Sequence, residues 1–239
     1  MTATQDTFRQ IPTPAIILDR QRLDANCARM AARAQAAGVC LRPHLKTAKS
    51  ARVAEVATAG QFGGITVSTL AELEYFFDAG FRDMTYAVGI VPAKMEAIER
   101  LTMKGARIRI VLDSVAMVDA LAARAGSMAG AIPVLIEIDC GGHRAGVDAE
   151  DTVLIEIARR IAATPRLSLD GVLTHAGHSY HAADAEARRT IAIAERDAAV
   201  RAAQRLRGAG FDCPTVSIGS TPTALTDIPL DGVTEIRPG

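Results

Sequence analysis

Eight short apolar segments recur along this chain, and segments with a helical pattern separate them. The apolar segments are residues 39–41, 65–67, 84–87, 108–112, 134–138, 169–174, 216–218 and 233–236. Short buried strands that alternate with helices form a parallel sheet whose two faces are both covered. Eight strands close a (β/α)8 barrel of about 250 residues, and this chain has 239. The pattern therefore predicts an α/β fold, a (β/α)8 TIM-type barrel over residues 20–239.

The helical segments have apolar residues at the spacing of an α-helix, and most end near a glycine. We expect helices near residues 20–37, 48–59, 69–79, 92–104, 114–125, 149–163 and 183–208. A doubly wound open sheet is the alternative fold. It is disfavoured because the first strand–helix turn lacks the GxGxxG pattern.

The two ends of the chain carry features that a closed barrel does not need. A ninth apolar segment, residues 15–18, precedes Asp19, which can cap the first helix. The last residues, Arg237-Pro238-Gly239, directly follow the eighth strand without a closing helix. We therefore expect residues 1–19 to form a mobile tail and a strand, which would pair with a C-terminal β-domain that this chain lacks.

Composition narrows the classes of partner and compartment. The 27 basic and 27 acidic residues cancel, so the net charge does not point to nucleic acid or to an anionic membrane. No apolar run approaches the ~20 residues of a membrane helix, and no signal peptide opens the chain. Cys27, Cys40, Cys140 and Cys213 show no CxxC spacing, which favours buried free thiols in a reducing compartment. We expect a cytoplasmic protein.

The turn after the first strand, RPHLKT at residues 42–47, is the first candidate for chemistry. In a closed barrel, the C-terminal ends of the strands converge on one face, where active sites lie. The cations Arg42 and Lys49 are close to Lys46 in the sequence. Neighbouring cations and partial burial favour the neutral amine that Schiff-base chemistry requires. A solvated basic turn is the alternative.

Glycine-containing turns follow the fifth and seventh strands. Residues 141–146 bracket Arg144 with glycines, so that its guanidinium can be aimed inward at a cofactor ring or a carboxylate. A loop arginine that caps carbonyl groups is the alternative. Residues 219–221, Gly-Ser-Thr, occupy the usual phosphate position of such barrels, where N–H groups and hydroxyls can converge on an anion. A plain Ser/Thr turn is the alternative there.

All five histidines fall in the predicted strand-end turns. The turn after the sixth strand holds three of them and a tyrosine: His175, His178, Tyr180 and His181. Such side chains can be metal ligands, acid–base groups or partners of a cofactor. We expect His175, at the strand end, to point into the barrel, and His181 to be solvated.

Together, these turns resemble those of the fold-type III pyridoxal-phosphate enzymes, and most closely those of the D-threonine aldolase and D-serine dehydratase group, with its alanine racemase-like N-terminal barrel. The segments that carry the resemblance are residues 42–47, 137–146, 174–180 (which contain HAGHSY), 219–222 and 235–239. The resemblance spans nearly the whole chain, and the combination is more specific than any single segment.

The resemblance implies pyridoxal phosphate as the cofactor, held by a Schiff base to Lys46. The implied cofactor-binding residues are Lys46, Arg144, His175, Tyr180, Gly219, Ser220 and Thr221. The implied catalytic residues are Lys46, His44, His175 and Tyr180. Family members also use a divalent metal (zinc or manganese), held by ligands in a C-terminal domain, so the metal ligands in this chain are unknown. Family sites are completed across a subunit interface, which implies a homodimer.

The implied activity is that of a lyase acting on β-hydroxy D-amino acids. An aldolase would break the Cα–Cβ bond, whereas a dehydratase would remove the Cα proton and then the hydroxyl group. An amino-acid racemase and a non-catalytic pyridoxal-phosphate-binding protein are alternatives within the same fold. A barrel metal hydrolase that uses His44, His175 and His178 and a purely structural barrel are alternatives outside it.

Overall fold

In the computed structural model, which describes residues 10–124 and 130–239, every strand pairs in parallel with its neighbours. The strands are β1 (Cys40–Leu41), β2 (Ile65–Val67), β3 (Asp83–Gly89), β4 (Arg107–Leu112), β5 (Ile132–Asp139), β6 (Val147–Asp148), β7 (Leu167–Thr174), β8 (Thr215–Ile218) and β9 (Glu235–Ile236). The α-helices are α1 (Arg20–Ala36), α2 (Ala51–Thr58), α3 (Leu70–Asp78), α4 (Met95–Met103), α5 (Val115–Ala122), α6 (Val153–Ala162), α7 (Ala185–Gly208) and α8 (Thr221–Ala224). Two 3₁₀ turns cover Pro92–Lys94 and Gly177–His181.

The sheet is closed by residues just beyond β1. The spatial order β1-β9-β8-β7-β5-β4-β3-β2 leaves β1 and β2 at its two ends, and β6 extends only β5. The N–H of Leu45 donates to the carbonyl of Thr66, and the N–H of Thr66 donates to the carbonyl of Pro43, both at 2.9 Å. This bridge joins the two ends, so the prediction of an eight-stranded parallel barrel is confirmed.

Local side-chain caps set most helix starts. Asp19 accepts a hydrogen bond from the N–H of Arg22 at 3.0 Å, which confirms its predicted role as the cap of α1. α6 begins four residues later than predicted, because two aspartates bind the preceding N–H groups. Asp148 accepts from Glu150 at 2.7 Å and Asp151 accepts from Val153 at 2.9 Å, which forms turns that compete with the helix.

The segment before α1 forms no strand within residues 10–19. A closed barrel offers no free edge, and Ile16, Ile17 and Leu18 are largely exposed. The predicted pairing of this segment with a further domain stays a prediction. The predicted tail lies mostly outside the described residues.

The four cysteines are free, as predicted, but only Cys140 and Cys213 are buried. Cys27 is half-buried, and Cys40 is exposed because alternation along β1 turns its side chain outward. None of the described helices is both long and apolar enough to cross a bilayer.

A buried ion-pair network crosses the interior of the barrel. The fully buried Arg42 donates from Nε to Oε2 of Glu235 at 2.5 Å and from Nη1 to Oδ1 of Asp83 at 2.6 Å. Arg109 continues the network, at 3.0 Å from Asp83 and 2.6 Å from Asp170. Arg42 was expected to be one of the cations that favour a neutral Lys46. That expectation is wrong, because its charge is neutralised by two carboxylates inside the barrel.

The network continues upward to the C-terminal ends of the strands. Glu235 Oε1 accepts from the hydroxyl of Ser217 at 2.5 Å. Arg237, which is 5% exposed, donates to the Ser217 hydroxyl and to the carbonyl of Thr174, both at 2.5 Å. Glu235 therefore neutralises Arg42 directly and is linked to Arg237 through one hydroxyl group.

We predict that Glu235→Ala lowers the free energy of unfolding by about 3–5 kcal/mol, because it leaves a buried arginine without its closest carboxylate. Urea denaturation measures the change. The control is Arg20→Ala, which breaks an ion pair with Asp24 at 2.9 Å on the exposed surface of α1. That pair should contribute less than about 1 kcal/mol. Similar effects of the two substitutions would contradict the prediction.

Candidate active site

One cavity, of about 320 Å³, opens where the C-terminal ends of the strands converge. Residues at or near the C-terminal ends of six of the strands line it: His44, Lys46, Ser68, Glu137, His175, Gly219 and Arg237. Its volume lies at the lower end of the range for small-molecule sites. The barrel thus brings together in one place side chains that are up to 193 positions apart in the sequence.

Lys46 lines this cavity from the turn after β1. Leu45 is buried beside it and anchors the turn in the core. His44 Nδ1 accepts the backbone N–H of Lys46 at 3.3 Å, and His44 Nε2 lies 3.1 Å from the hydroxyl of Ser68. Because Nδ1 accepts, the proton is on Nε2, which donates to Ser68. His44 therefore fixes the backbone that carries the lysine.

The second cation expected near Lys46 is directed elsewhere. Lys49 lies 3.5 Å from Oε1 of Glu72, a buried carboxylate whose other oxygen accepts the N–H of Ser68 at 2.8 Å. A cation that does line the cavity, besides Lys46 and Arg144, is Arg237. Sequence reasoning missed this residue, although its position directly after the eighth barrel strand is the same signal that identified the other strand-end residues.

Both histidines of the cavity wall are held in the neutral form. The pKa of His44 is lowered to about 3, mainly by burial and in addition by the charges of Lys46 and Arg237. Burial likewise lowers the pKa of His175 to about 4. His175 Nδ1 lies 2.9 Å from the carbonyl of Gly219, which can only accept, so Nδ1 carries the proton and Nε2 is an acceptor.

The glycine-rich turn after β5 wraps around one aspartate. Asp139 Oδ1 accepts the N–H groups of Gly141, Gly142 and His143 at 3.0, 3.0 and 3.1 Å. Gly146 has φ +97°, and a Cβ there would lie 2.6 Å from the backbone nitrogen of Asp139. A glycine is therefore required at this end of the turn.

The same turn brings Arg144 to the cavity wall, where its Nη2 lies 4.0 Å from Oε1 of Glu137. Burial raises the pKa of Glu137, and the charge of Arg144 opposes that rise. Arg144 itself is mostly exposed, so its guanidinium is accessible to an anion or a polar ring in the cavity.

The Gly-Ser-Thr turn after β8 uses most of its polar groups within the protein. The N–H of Gly219 donates to Glu195 at 3.2 Å, and the N–H of Ser220 donates to the hydroxyl of Thr223 at 3.1 Å. The Ser220 hydroxyl is 2.8 Å from that of Ser179, and the Thr221 hydroxyl donates to Gly239 at 2.6 Å.

The expected convergence of the N–H groups of residues 219–221 on one anion is therefore corrected. Two of those N–H groups are already donated to side chains below the turn. Thr221 is the first residue of α8, and the first N–H of a helix has no intrahelical acceptor. Its N–H is the donor that this turn retains.

The turn after β7 places only part of its histidine cluster at the cavity. Tyr180 lines the cavity, although its side chain is more than half exposed. His178 and His181 do not line it. Within residues 10–124 and 130–239, no group of three or more His, Cys, Asp or Glu side chains could hold a metal ion. The three histidines of the metal-hydrolase alternative are thus not brought together.

The model of the alanine racemase N-terminal domain family matches residues 18–239. The chain belongs to this family. A D-threo-3-hydroxyaspartate dehydratase from Delftia sp. (strain HT23) is 47% identical over 235 residues, which cover 98% of this chain and 62% of that protein. The solved structure of the Delftia protein has a TM-score of 0.92, with 96% of this chain and 61% of that chain covered.

Two further relatives carry different lyase names. A D-serine dehydratase from Dictyostelium discoideum is 31% identical, over 100% of this chain and 64% of that protein. The structure of a D-threonine aldolase from Filomicrobium marinum has a TM-score of 0.86 and 29% identity, with 96% of this chain and 62% of that chain covered. The chain thus spans less than two thirds of the length of these relatives.

Family membership implies pyridoxal phosphate, and the cavity fits this cofactor. Lys46 supplies a primary amine and Arg144 an accessible guanidinium to the same cavity. Gly219 has φ +123° and lies so close to Arg237 that a Cβ would be 2.9 Å from its nitrogen, so the turn is closely packed and free of side-chain bulk. The N–H of Thr221, at the start of α8, adds one donor.

We predict that His44 and His175 stay neutral from pH 8 down to about pH 5 in the folded protein, as the burial of both rings requires. NMR titration of the imidazole resonances measures this. The same titration in urea is the control, because both side chains should then titrate at pH ~6.5.

Because the two histidine pKa values are lower in the folded than in the unfolded protein, stability should fall as the pH drops from about 6.5 towards 4. In that range the unfolded chain binds more protons. Titration of either folded ring near pH 6.5 would contradict the assignment.

Proposed function

We propose that this chain is the cofactor-binding barrel of a pyridoxal-phosphate-dependent lyase that acts on β-hydroxy D-amino acids, with dehydration as its reaction. The observation that carries the proposal is that the Lys46 amine opens onto the same cavity as the turn after β8. The names of the relatives that are 47% and 31% identical favour dehydration over aldol cleavage.

Pyridoxal phosphate, when bound, supplies a ring that accepts electrons from a breaking bond at the substrate's α carbon. Lys46 would hold the cofactor through its side-chain amine and would be the base that takes the substrate's α proton. Thr221, at the start of α8, would bind the phosphate with its N–H. Arg144 would donate to the ring or its phenolic oxygen.

The neutral histidines suit two different roles. His44 has both ring nitrogens engaged with Lys46 and Ser68, so we assign it to holding the lysine turn. His175 has Nδ1 engaged and Nε2 available as an acceptor on the cavity wall. It would therefore orient the ring or the substrate. Tyr180, at the exposed rim of the cavity, would restrict the entry of water.

The departure of the β-hydroxyl group needs assistance. A divalent metal, zinc or manganese, would act as a Lewis acid on that oxygen. The described residues hold no cluster of three ligands, so we propose that its ligands lie in a further domain. That domain is also the partner we propose for the exposed segment 15–18.

We further propose a homodimer and a cytoplasmic location, the latter supported by four free cysteines.

We predict that borohydride reduction of the protein with pyridoxal phosphate labels Lys46, and that Lys46→Ala abolishes the label. Peptide mapping by mass spectrometry measures this. The control is Lys49→Ala, three residues away and paired with Glu72, which should keep the label on Lys46. Undiminished labelling of Lys46→Ala at another lysine would contradict the proposed role.

The reaction is tested by product analysis on a form that contains the further domain. We predict that D-threo-3-hydroxyaspartate and D-serine yield ammonia and a keto acid, because the hydroxyl group leaves. D-Threonine cleaved by an aldolase would instead yield glycine and acetaldehyde. Release of glycine as the main product would replace dehydration by aldol cleavage, and formation of L-serine from D-serine alone would indicate a racemase.

A further inference from the structure

Glu195 is a fully buried carboxyl group that the proposed reaction does not use. It lies in the middle of α7, beneath the turns that follow β7 and β8. Its Oε1 accepts the backbone N–H of Ala176 at 2.7 Å and that of Gly219 at 3.2 Å. One side-chain oxygen therefore holds the backbones of both turns.

We propose that Glu195 is a positioning residue, which holds the turns after β7 and β8 in the arrangement that binds the cofactor's phosphate group. This inference rests on the proposed function, since pyridoxal phosphate is the ligand. Glu195 does not touch the cavity, so it acts through the two backbones that it binds.

The link matters because one of these turns, at Gly219, is part of the expected phosphate position, and Glu195 holds it against the turn after β7. In barrels of this type, phosphate binds between the loops after the seventh and eighth barrel strands and a short extra helix. Because β6 lies outside the barrel, its seventh and eighth strands are β8 and β9. The corresponding parts are the turn at Gly219, the residues after β9 and the helix α8. Thr221 joins the turn at Gly219 to the residues after β9. Its hydroxyl donates to the carbonyl of Gly239 at 2.6 Å and accepts the N–H of Gly239 at 2.9 Å.

Two other contacts connect the same turns but cannot replace Glu195. His175 Nδ1 donates to the carbonyl of Gly219 at 2.9 Å, and the hydroxyls of Ser179 and Ser220 lie 2.8 Å apart. Neither contact accepts the N–H of Gly219. Without an acceptor, this buried N–H would be left unpaired, and the turn would have to shift to satisfy it.

The carboxyl group is suited to lie beneath an anion site. Burial raises the pKa of Glu195, which weakens the negative charge beneath a phosphate. Its second oxygen, Oε2, has no hydrogen-bond partner among the described residues. A glutamine should therefore replace this residue closely, because its amide oxygen can accept both N–H groups and it carries no charge.

The test compares the affinities of the protein for pyridoxal phosphate and for pyridoxal, which lacks the phosphate, by absorbance titration. Glu195→Leu removes the acceptor at similar size. We expect it to lower the preference for pyridoxal phosphate at least about tenfold, as the loss of one or two buried hydrogen bonds implies. Glu195→Gln should keep a preference within about threefold of the parent. The control Glu186→Leu, at an exposed position of the same helix, should leave it unchanged.

The ratio of the affinities for pyridoxal phosphate and pyridoxal separates positioning from general destabilisation, which would weaken the binding of both compounds alike. An unchanged preference in Glu195→Leu would overturn the proposal, and so would equal affinity of the parent for both compounds. If Glu195→Leu does not fold, Glu195→Asp serves instead. Its shorter carboxyl group should reach only one of the two N–H groups and give an intermediate preference, whereas a parent-like preference would overturn the proposal.

The outcome is distinguishable from failure of the proposed function. Normal binding of pyridoxal phosphate without turnover of β-hydroxy D-amino acids would contradict the proposed reaction but not the role of Glu195. Turnover with an unchanged preference in Glu195→Leu would contradict the role of Glu195 but not the proposed reaction. No binding of pyridoxal phosphate to the parent would overturn both.

Discussion

Glu235 is the residue on which the barrel interior depends, because a buried arginine is tolerated only when its charge is matched. One carboxylate oxygen binds Arg42 and the other binds Ser217, which in turn binds Arg237. Through Asp83, which also binds Arg42, the network extends to matched charges on β3, β4 and β7. Each pair constrains the relative position of two strands. The network therefore favours one strand register over alternatives that apolar packing alone would accept.

The upper end of this network is the floor of the candidate site. Arg237 is held by the carbonyl of Thr174 and by Ser217, so its charge lies at the cavity in a fixed position. That fixed charge helps to keep His44 and His175 neutral, although burial is the larger cause. A neutral ring can orient a ligand by hydrogen bonds without adding charge. The stability of the barrel and the electrostatics of the site thus share the same residues.

The walls of the site are fixed by different means. The turn that carries Lys46 is anchored by a buried leucine and by a histidine that binds its backbone. The turns after β7, β8 and β9, of which β9 pairs with β1, are joined by side chains, among them Glu195 and Thr221. A lysine that must reach a cofactor whose phosphate is held at these turns requires all of them to keep their relative positions.

The sequence by itself determined the eight strands, the cap of α1 at Asp19 and the placement of Lys46, Arg144 and His175 at strand ends, because these depend on local periodicity and turn chemistry. Only the tertiary structure decided that Arg42 turns into the barrel to meet Glu235, 193 positions away. The same holds for the N–H of Gly219, which binds Glu195 rather than facing the cavity. Glu195 stands in the middle of a helix, where an isolated acidic residue looks like any solvated one. Partners so distant in sequence leave no local pattern, since closure of the barrel alone brings them within hydrogen-bond distance.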